Sequence, residues 1–316
     1  MTRNILKTLI VVCIVAIFLV LNVFIIQPIF AKDNKEKLDY KYHFQVMIDN
    51  EYNDKSSEEF KKKIVEKGNE NNIFVEIIDV KEDQSKTELV EQGIYSKVDG
   101  IAFSSNSKKQ GDSLYVKAKN NKIEMVDFGM SPFEYEDMLS IGMDEAQLAD
   151  KAVEEVCKLT NKSDEILVFL NCESKKRTLS NKDIIKAFNK SFKKNKRKTD
   201  NVRFVKVNKN KYEINSYIRK NIEKYRDCKA IVSLDSKYSS IIGSIIANKD
   251  ISRLSDKAFV AYGDTTDNIY YMKKGIIDSI ITSDGADMAD KLIATMVDLK
   301  AGAKLRNYIT NIVVID

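Results

Sequence analysis

The chain has 316 residues and 43% hydrophobic content, enough for genuine cores and for two domains of ordinary size, which excludes disorder over most of its length. Its 52 lysines and arginines against 47 aspartates and glutamates leave a formal charge of +5, with both signs mixed along the chain, so no nucleic acid is expected as a partner. Four cysteines without CxxC or Cys/His spacing give no support to a disulfide framework or a zinc site.

In chain order, residues 9–31 (LIVVCIVAIFLVLNVFIIQPIFA) come first. At about 1.5 Å per helical residue this apolar run spans a hydrocarbon core of roughly 30 Å. Arg3 and Lys7 precede it, and positive charge is retained on the cytoplasmic side. Residues 1–31 therefore read as a single-pass transmembrane anchor with the rest of the chain extracellular. A cleaved signal peptide, giving a secreted protein, is the rival reading. Ala31 suits a cleavage site, but the run exceeds the usual ~7–15 apolar residues and Ile29 is not small. Residues 32–41 are polar and charged and read as a tether.

From residue 43 onward, apolar runs alternate with helical patterns. Strands are expected at 43–48, 73–80, 100–103, 123–127 and 138–143, and helices at 56–68, 86–96, 110–119 and 145–159. Phe60, Ile64 and Val65 carry the helical spacing in the first helix, and Asp144 caps the last. The alternation then restarts, with strands at 166–170, 202–207, 230–234, 259–262 and 279–282, and helices at 182–192, 214–225, 238–247 and 268–274. A helix at 287–299 and a strand at 308–315 end the chain. Two consecutive α/β units predict two doubly wound, parallel-sheet lobes with a cleft between them.

Several strand-like runs end in an acid or a serine and lead into a helix. These are VMIDNEYND at Asp49, GIAFSSNS at Ser104, IEMVDFGM at Asp127, AIVSLDSKYS at Asp235 and FVAYGDTTD at Asp264. Ligands of parallel sheets bind outside the carboxyl ends of the strands, which places such residues at a mouth. Any one of them is at least as well explained as a turn former or helix cap; the recurrence is what marks a site. The single histidine, His43, has no Ser, Cys or metal partner by spacing, and neither GxGxxG nor GxxxxGK[ST] occurs, so no enzyme and no cofactor or metal is expected. Asp264 and Asp267 are paired acids whose separation nothing fixes. The run KSFKKNKRK at 190–198 reads as a solvated helix end, with docking of an anionic wall polymer or a partner as the alternative.

Four segments carry a resemblance. They are VDGIAFSSNS with the later KIEMVDFG; LSIGMDEAQLADKAVEEV; AIVSLDSKYSSIIGSIIA; and YGDTTDNIYYMKKGIIDSIITSDGADMADKLIATMVDLKAG. Over about residues 41–316 the chain resembles the type I periplasmic binding proteins, the family of ribose-, galactose- and xylose-binding proteins whose fold also serves LacI-type repressors as a sensor. The resemblance implies a first lobe of 41–143 plus 284–310, a second of 144–283 plus 311–316, and ligand held between them by hinge closure. It implies that Asp127, Asp235 and Asp264 accept hydrogen bonds from sugar hydroxyls, a task suited to ionised carboxylates, and that Asp144 is a structural cap.

Departures from the family pattern are also legible. The loop after the first strand, EYNDKSS, offers Tyr52 and Asn53, with Tyr52 its one aromatic. Phe128 stands where an Arg often follows the acid of the fourth strand, Lys182 is nearest to a position that commonly holds Arg, and Ser283 replaces a common Gln or Asn. The function implied is that of a membrane-tethered extracellular solute-binding protein for a carbohydrate. Its partner would be an ABC sugar permease or a membrane histidine kinase. A degenerate adaptor that contacts a membrane protein without a small ligand is the alternative.

Overall fold

In the computed structural model, which describes residues 40–49, 54–81, 83–105, 107–129, 133–171, 180–207, 213–248, 256–303 and 306–316, the apolar runs become strands and the amphipathic stretches become helices. The chain divides into two units, Met1–Lys41 and Tyr42–Asp316. The expected anchor lies outside the described residues; among those described, no helix is long and apolar enough to cross a membrane.

The first half of the second unit runs β1 (Tyr42–Asp49), α1 (Lys55–Glu70), β2 (Ile73–Val80), α2 (Lys86–Tyr95), β3 (Gly100–Phe103), α3 (Lys108–Asn120), β4 (Glu124–Gly129) and β5 (Leu139–Gly142). The second half runs α4 (Glu145–Leu159), β6 (Ile166–Asn171), α5 (Asn181–Lys194), β7 (Val202–Val207), α6 (Ile214–Lys224), β8 (Ala230–Ser233), α7 (Ser236–Ala247), β9 (Ala258–Tyr262), α8 (Thr266–Lys273) and β10 (Ser279–Ser283). Helix α9 (Gly285–Lys300) and strands β11 (Tyr308–Ile309) and β12 (Ile312–Ile315) close it.

Two six-stranded sheets result, ordered β11-β5-β4-β3-β1-β2 and β12-β10-β9-β8-β6-β7. The first sheet is parallel throughout; in the second, β12 runs antiparallel to β10. Each sheet is covered on both faces. In the first lobe, Phe60 and Ile64 of α1 and Leu292, Ile293 and Met296 of α9 fill one face, and Leu89, Val90 and Leu114 of α2 and α3 fill the other. In the second lobe, α4 and α5 supply Val153, Val156, Phe188 and Phe192 to one core, and α6 and α7 supply Ile218, Ile222, Ile242 and Ile245 to its counterpart.

Two local readings change. Val65, expected on the buried face of α1, lies on its flank and is 37% exposed, because burial there follows the i, i+4 spacing of Phe60, Ile64 and Gly68. The strand expected at 308–315 is split, since β11 joins the first sheet and β12 the second. Thr310 N donates to Gly142 O at 2.8 Å and Asn311 N to an Asp287 carboxylate oxygen at 2.8 Å, which turns the chain between sheets.

Candidate functional site

Parallel pairing sends the carboxyl ends of the strands within each sheet to a common edge, and the next helix must begin there. Of the strand-end residues singled out, that geometry explains Asp235 itself; elsewhere the cap is a neighbouring residue. Asp54, Ser85, Ser107, Asp144, Ser180, Asp235, Thr265 and Asp284 each accept a backbone N–H in the first turn of the helix that follows. Most of these edge residues thus have a structural partner already.

Asp127 lies on β4 and is 1% exposed. Its Oδ1 accepts from Ser105 N at 3.1 Å, and its Oδ2 lies 2.6 Å from both Ser105 Oγ and Tyr135 OH. The two hydroxyls are themselves 2.6 Å apart. Both hydroxyls donate to the carboxyl. Burial raises the Asp127 pKa against the opposing pull of Ser105, Tyr135 and the charge of Lys86. Burial and the Asp127 charge push the Tyr135 phenol up as well. Nearby, Lys86 Nζ lies 2.7 Å from a carboxylate oxygen of Asp49, both residues being buried, and it also donates to Ser104 O. The edge of the first lobe is therefore a saturated polar network.

In the second lobe, Asp235 is half-buried just beyond β8. One oxygen caps α7 through Tyr238 N at 3.0 Å; the other accepts from Asn171 Nδ2, at the end of the neighbouring β6, at 2.7 Å. Asp264, two residues past β9, is 4% exposed and faces Ser56 and Thr282. The half-buried Ser283 ends β10, and the exposed Lys182 sits in the first turn of α5.

Phe128 is in the core and not at a mouth: it is 6% exposed, and its ring stacks on Phe60 at 5.3 Å and 22°. Alternation along β4 explains this, since neighbours Asp127 and Phe128 point to opposite faces. Tyr52 and Asn53 lie outside the described residues, as does Cys172; Cys157 and Cys228 are free thiols. Sequence reasoning missed Ser56, Lys86, Ser105, Tyr135, Asn171 and Thr282. Ser56 in EYNDKSS, Ser105 in the SSNS that follows β3 and Thr282 in the last of the four resembling segments sit in stretches that had been singled out, but none was named as a site residue.

The family of periplasmic binding protein domains matches residues 46–304. The chain belongs to that family. Its periplasmic-binding-protein fold is shared with solved structures of low sequence identity. One is a sugar-binding protein of a sugar ABC transporter from Bacillus halodurans, with a TM-score of 0.73 at 14% identity, covering 87% of this chain and 97% of that one. A second is an ABC transporter solute binding protein from Burkholderia graminis in complex with D-arabinose, with a TM-score of 0.72 at 14% identity over 88% and 96% of the two chains. A third, a LacI-type regulator from Bacteroides fragilis, has a TM-score of 0.69 at 16% identity over 87% and 96%. No curated protein matches the chain. Periplasmic binding proteins are solute binders and not enzymes.

Proposed function

We propose that this chain is a membrane-tethered extracellular solute-binding protein that takes a carbohydrate between its lobes and presents it to an ABC sugar permease. The observation that carries the reading is the Asp235 and Asn171 pair. A carboxylate and an amide on adjacent strand ends, half-buried and 2.7 Å apart, supply the acceptors and donors that vicinal hydroxyls require. Ser283, Lys182, Tyr52 and Asn53 are proposed around the same cleft, with Asp127 backing it as part of a preorganised network. Structural neighbours that carry D-arabinose or D-allose support a sugar of this size. Residues 9–31 supply the anchor, and the tether places the binding lobes outside the membrane. Retention at the membrane also suits reporting to a sensor kinase, where a partner that prefers the liganded state reads the sugar.

A second reading is favoured by one observation. Asp127 and Asp264, two of the three acids assigned to sugar hydroxyls, are buried and hydrogen-bonded by the chain itself. In that reading the cleft is closed to solutes and the protein is an adaptor for a membrane partner.

Thermal unfolding against pentoses, hexoses, their phosphates and polyols separates the two. A sugar at 100 times its dissociation constant stabilises by about 2.7 kcal/mol, and Asp235→Ala should weaken that binding by about 10- to 100-fold through loss of a charge-assisted bond. A protein that unfolds cooperatively and shifts with no sugar is the adaptor.

A further inference from the structure

The two lobes touch through a contact of unusual completeness beside the hinge. Ser56, the second residue of α1 in the first lobe, donates its backbone N–H and its hydroxyl to Asp264 Oδ2 in the second lobe, at 3.1 and 3.0 Å. Thr282 of β10 donates to Asp264 Oδ1 at 3.1 Å and lies 3.0 Å from Ser56 Oγ. The three residues are 5%, 4% and 3% exposed. One step away, the backbones of Asp54 and Thr265 form an isolated antiparallel bridge across the same boundary.

Two glycines make room for this contact. Gly263, with φ +83°, turns the chain after β9 so that Asp264 meets Ser56. Gly285 lies where the chain re-enters the first lobe, and a Cβ there would sit 2.1 Å from Ser56 O. The carboxylate also faces the first turn of α1, where backbone N–H groups and the helix dipole favour negative charge. Parting the lobes at this point strips Asp264 of both Ser56 donors, and a carboxylate left in a dry site without them is costly.

We propose that Ser56, Asp264 and Thr282, with the backbone bridge of Asp54 to Thr265, form a clasp that holds the lobes together in the absence of ligand. Asp264 is then a positioning residue and not a contact for ligand. A solute entering the cleft adds to a closed population that already exists, so the clasp sets the apparent affinity of the cleft. That last consequence rests on the reading of the cleft as a sugar site; the clasp itself does not.

Spin labels at Lys109 and Lys237, exposed residues in the first turns of α3 and α7, report the distance between lobes on the full chain without any sugar. The expected result is one narrow short distance for the parent and a longer, broader distribution for Asp264→Ala and for Ser56→Ala, with Thr282→Val intermediate. An unchanged distribution in Asp264→Ala and Ser56→Ala, in proteins that still unfold cooperatively, overturns the clasp and makes the contact a passive pivot. If Asp264→Ala does not fold, Ser56→Ala and Asp264→Asn decide the matter by the same distances. Where a sugar is found by thermal shift, its dissociation constant should rise about tenfold as the closed fraction falls to about a tenth. Widened distances with no sugar bound leave the clasp standing and remove the sugar reading; sugar binding with unchanged distances does the reverse.

Discussion

Asp127, Ser105 and Tyr135 form a buried ring of oxygens, and the upward push of burial on the carboxyl gives the acid a testable sign. Unfolded, Asp127 titrates near 3.8; folded, burial raises it. Between those two values the folded chain holds a proton that the unfolded chain has released, so this group's contribution to stability falls as pH rises through the window. Asp127→Asn has no such proton and keeps acceptor and donor atoms in the ring. The unfolding free energy of the variant relative to the parent should therefore climb as pH rises above 3.8, and be level below it. A trend in the parent's favour would show that the fold holds the carboxyl below its ordinary value and not above it. Phe128, its neighbour, makes a different case: Phe128→Ala removes the ring that stacks on Phe60 and should cost about 3–5 kcal/mol in a denaturant titration, with little change in sugar affinity. The acid was legible in the sequence because it ends an apolar run. Its partners were not, since Ser105 is 22 residues before it and Tyr135 is 8 after, and nothing in either segment signals that the three meet.

At the scale of elements, the basic run that ends α5 and continues past it shows how neighbouring cations serve two purposes. Lys190, Lys193, Lys194, Lys196 and Lys198 are exposed, whereas Arg197 is 7% exposed. Its guanidinium donates to Thr160 O at 2.5 Å, to Cys157 O at 3.2 Å and to Asn161 O, closing the carboxyl end of α4. A planar cation with several donors matches those last carbonyls and the negative end of the helix dipole. Arg197→Ala should cost about 2–4 kcal/mol of stability, and Arg197→Lys should recover only part of it, because a single ammonium cannot span three carbonyls. Lys196→Ala alongside, which removes an exposed cation, should be neutral within about 0.5 kcal/mol. An Arg197→Ala variant as stable as Lys196→Ala would refute the cap. Composition could not separate these neighbours, because burial is decided by where α5 packs against α4 and not by charge.

At the scale of the molecule, the succession of strands and helices was legible through the alternation of apolar runs and helical patterns; the order of strands within each sheet was not, because spacing along the chain does not say which strands become neighbours. The return of the chain at its end was not legible in the residue pattern, which made 308–315 one strand; the resemblance alone put the crossing at 310–311, where Thr310 and Asn311 carry the chain from one sheet to the other. That return gives the first lobe a core assembled from distant segments: Met288, Leu292, Ile293 and Met296 of α9 pack with Phe44, Ile64, Val126 and Phe128, with the whole second lobe intervening in sequence. Leu292, 1% exposed, tests the consequence. Leu292→Ala should cost about 2–5 kcal/mol by leaving a cavity. Native-state hydrogen exchange should then speed up in β1, β3 and β4, more than 150 residues away in sequence, and leave β8 and β9, which are closer in sequence, unchanged. Faster exchange confined to β9 and β10 would mean that α9 belongs energetically to the second lobe. Equal loosening of both sheets would mean that the contacts between lobes, the Ser56 and Asp264 hydrogen bonds first among them, bind the two cores into one cooperative unit.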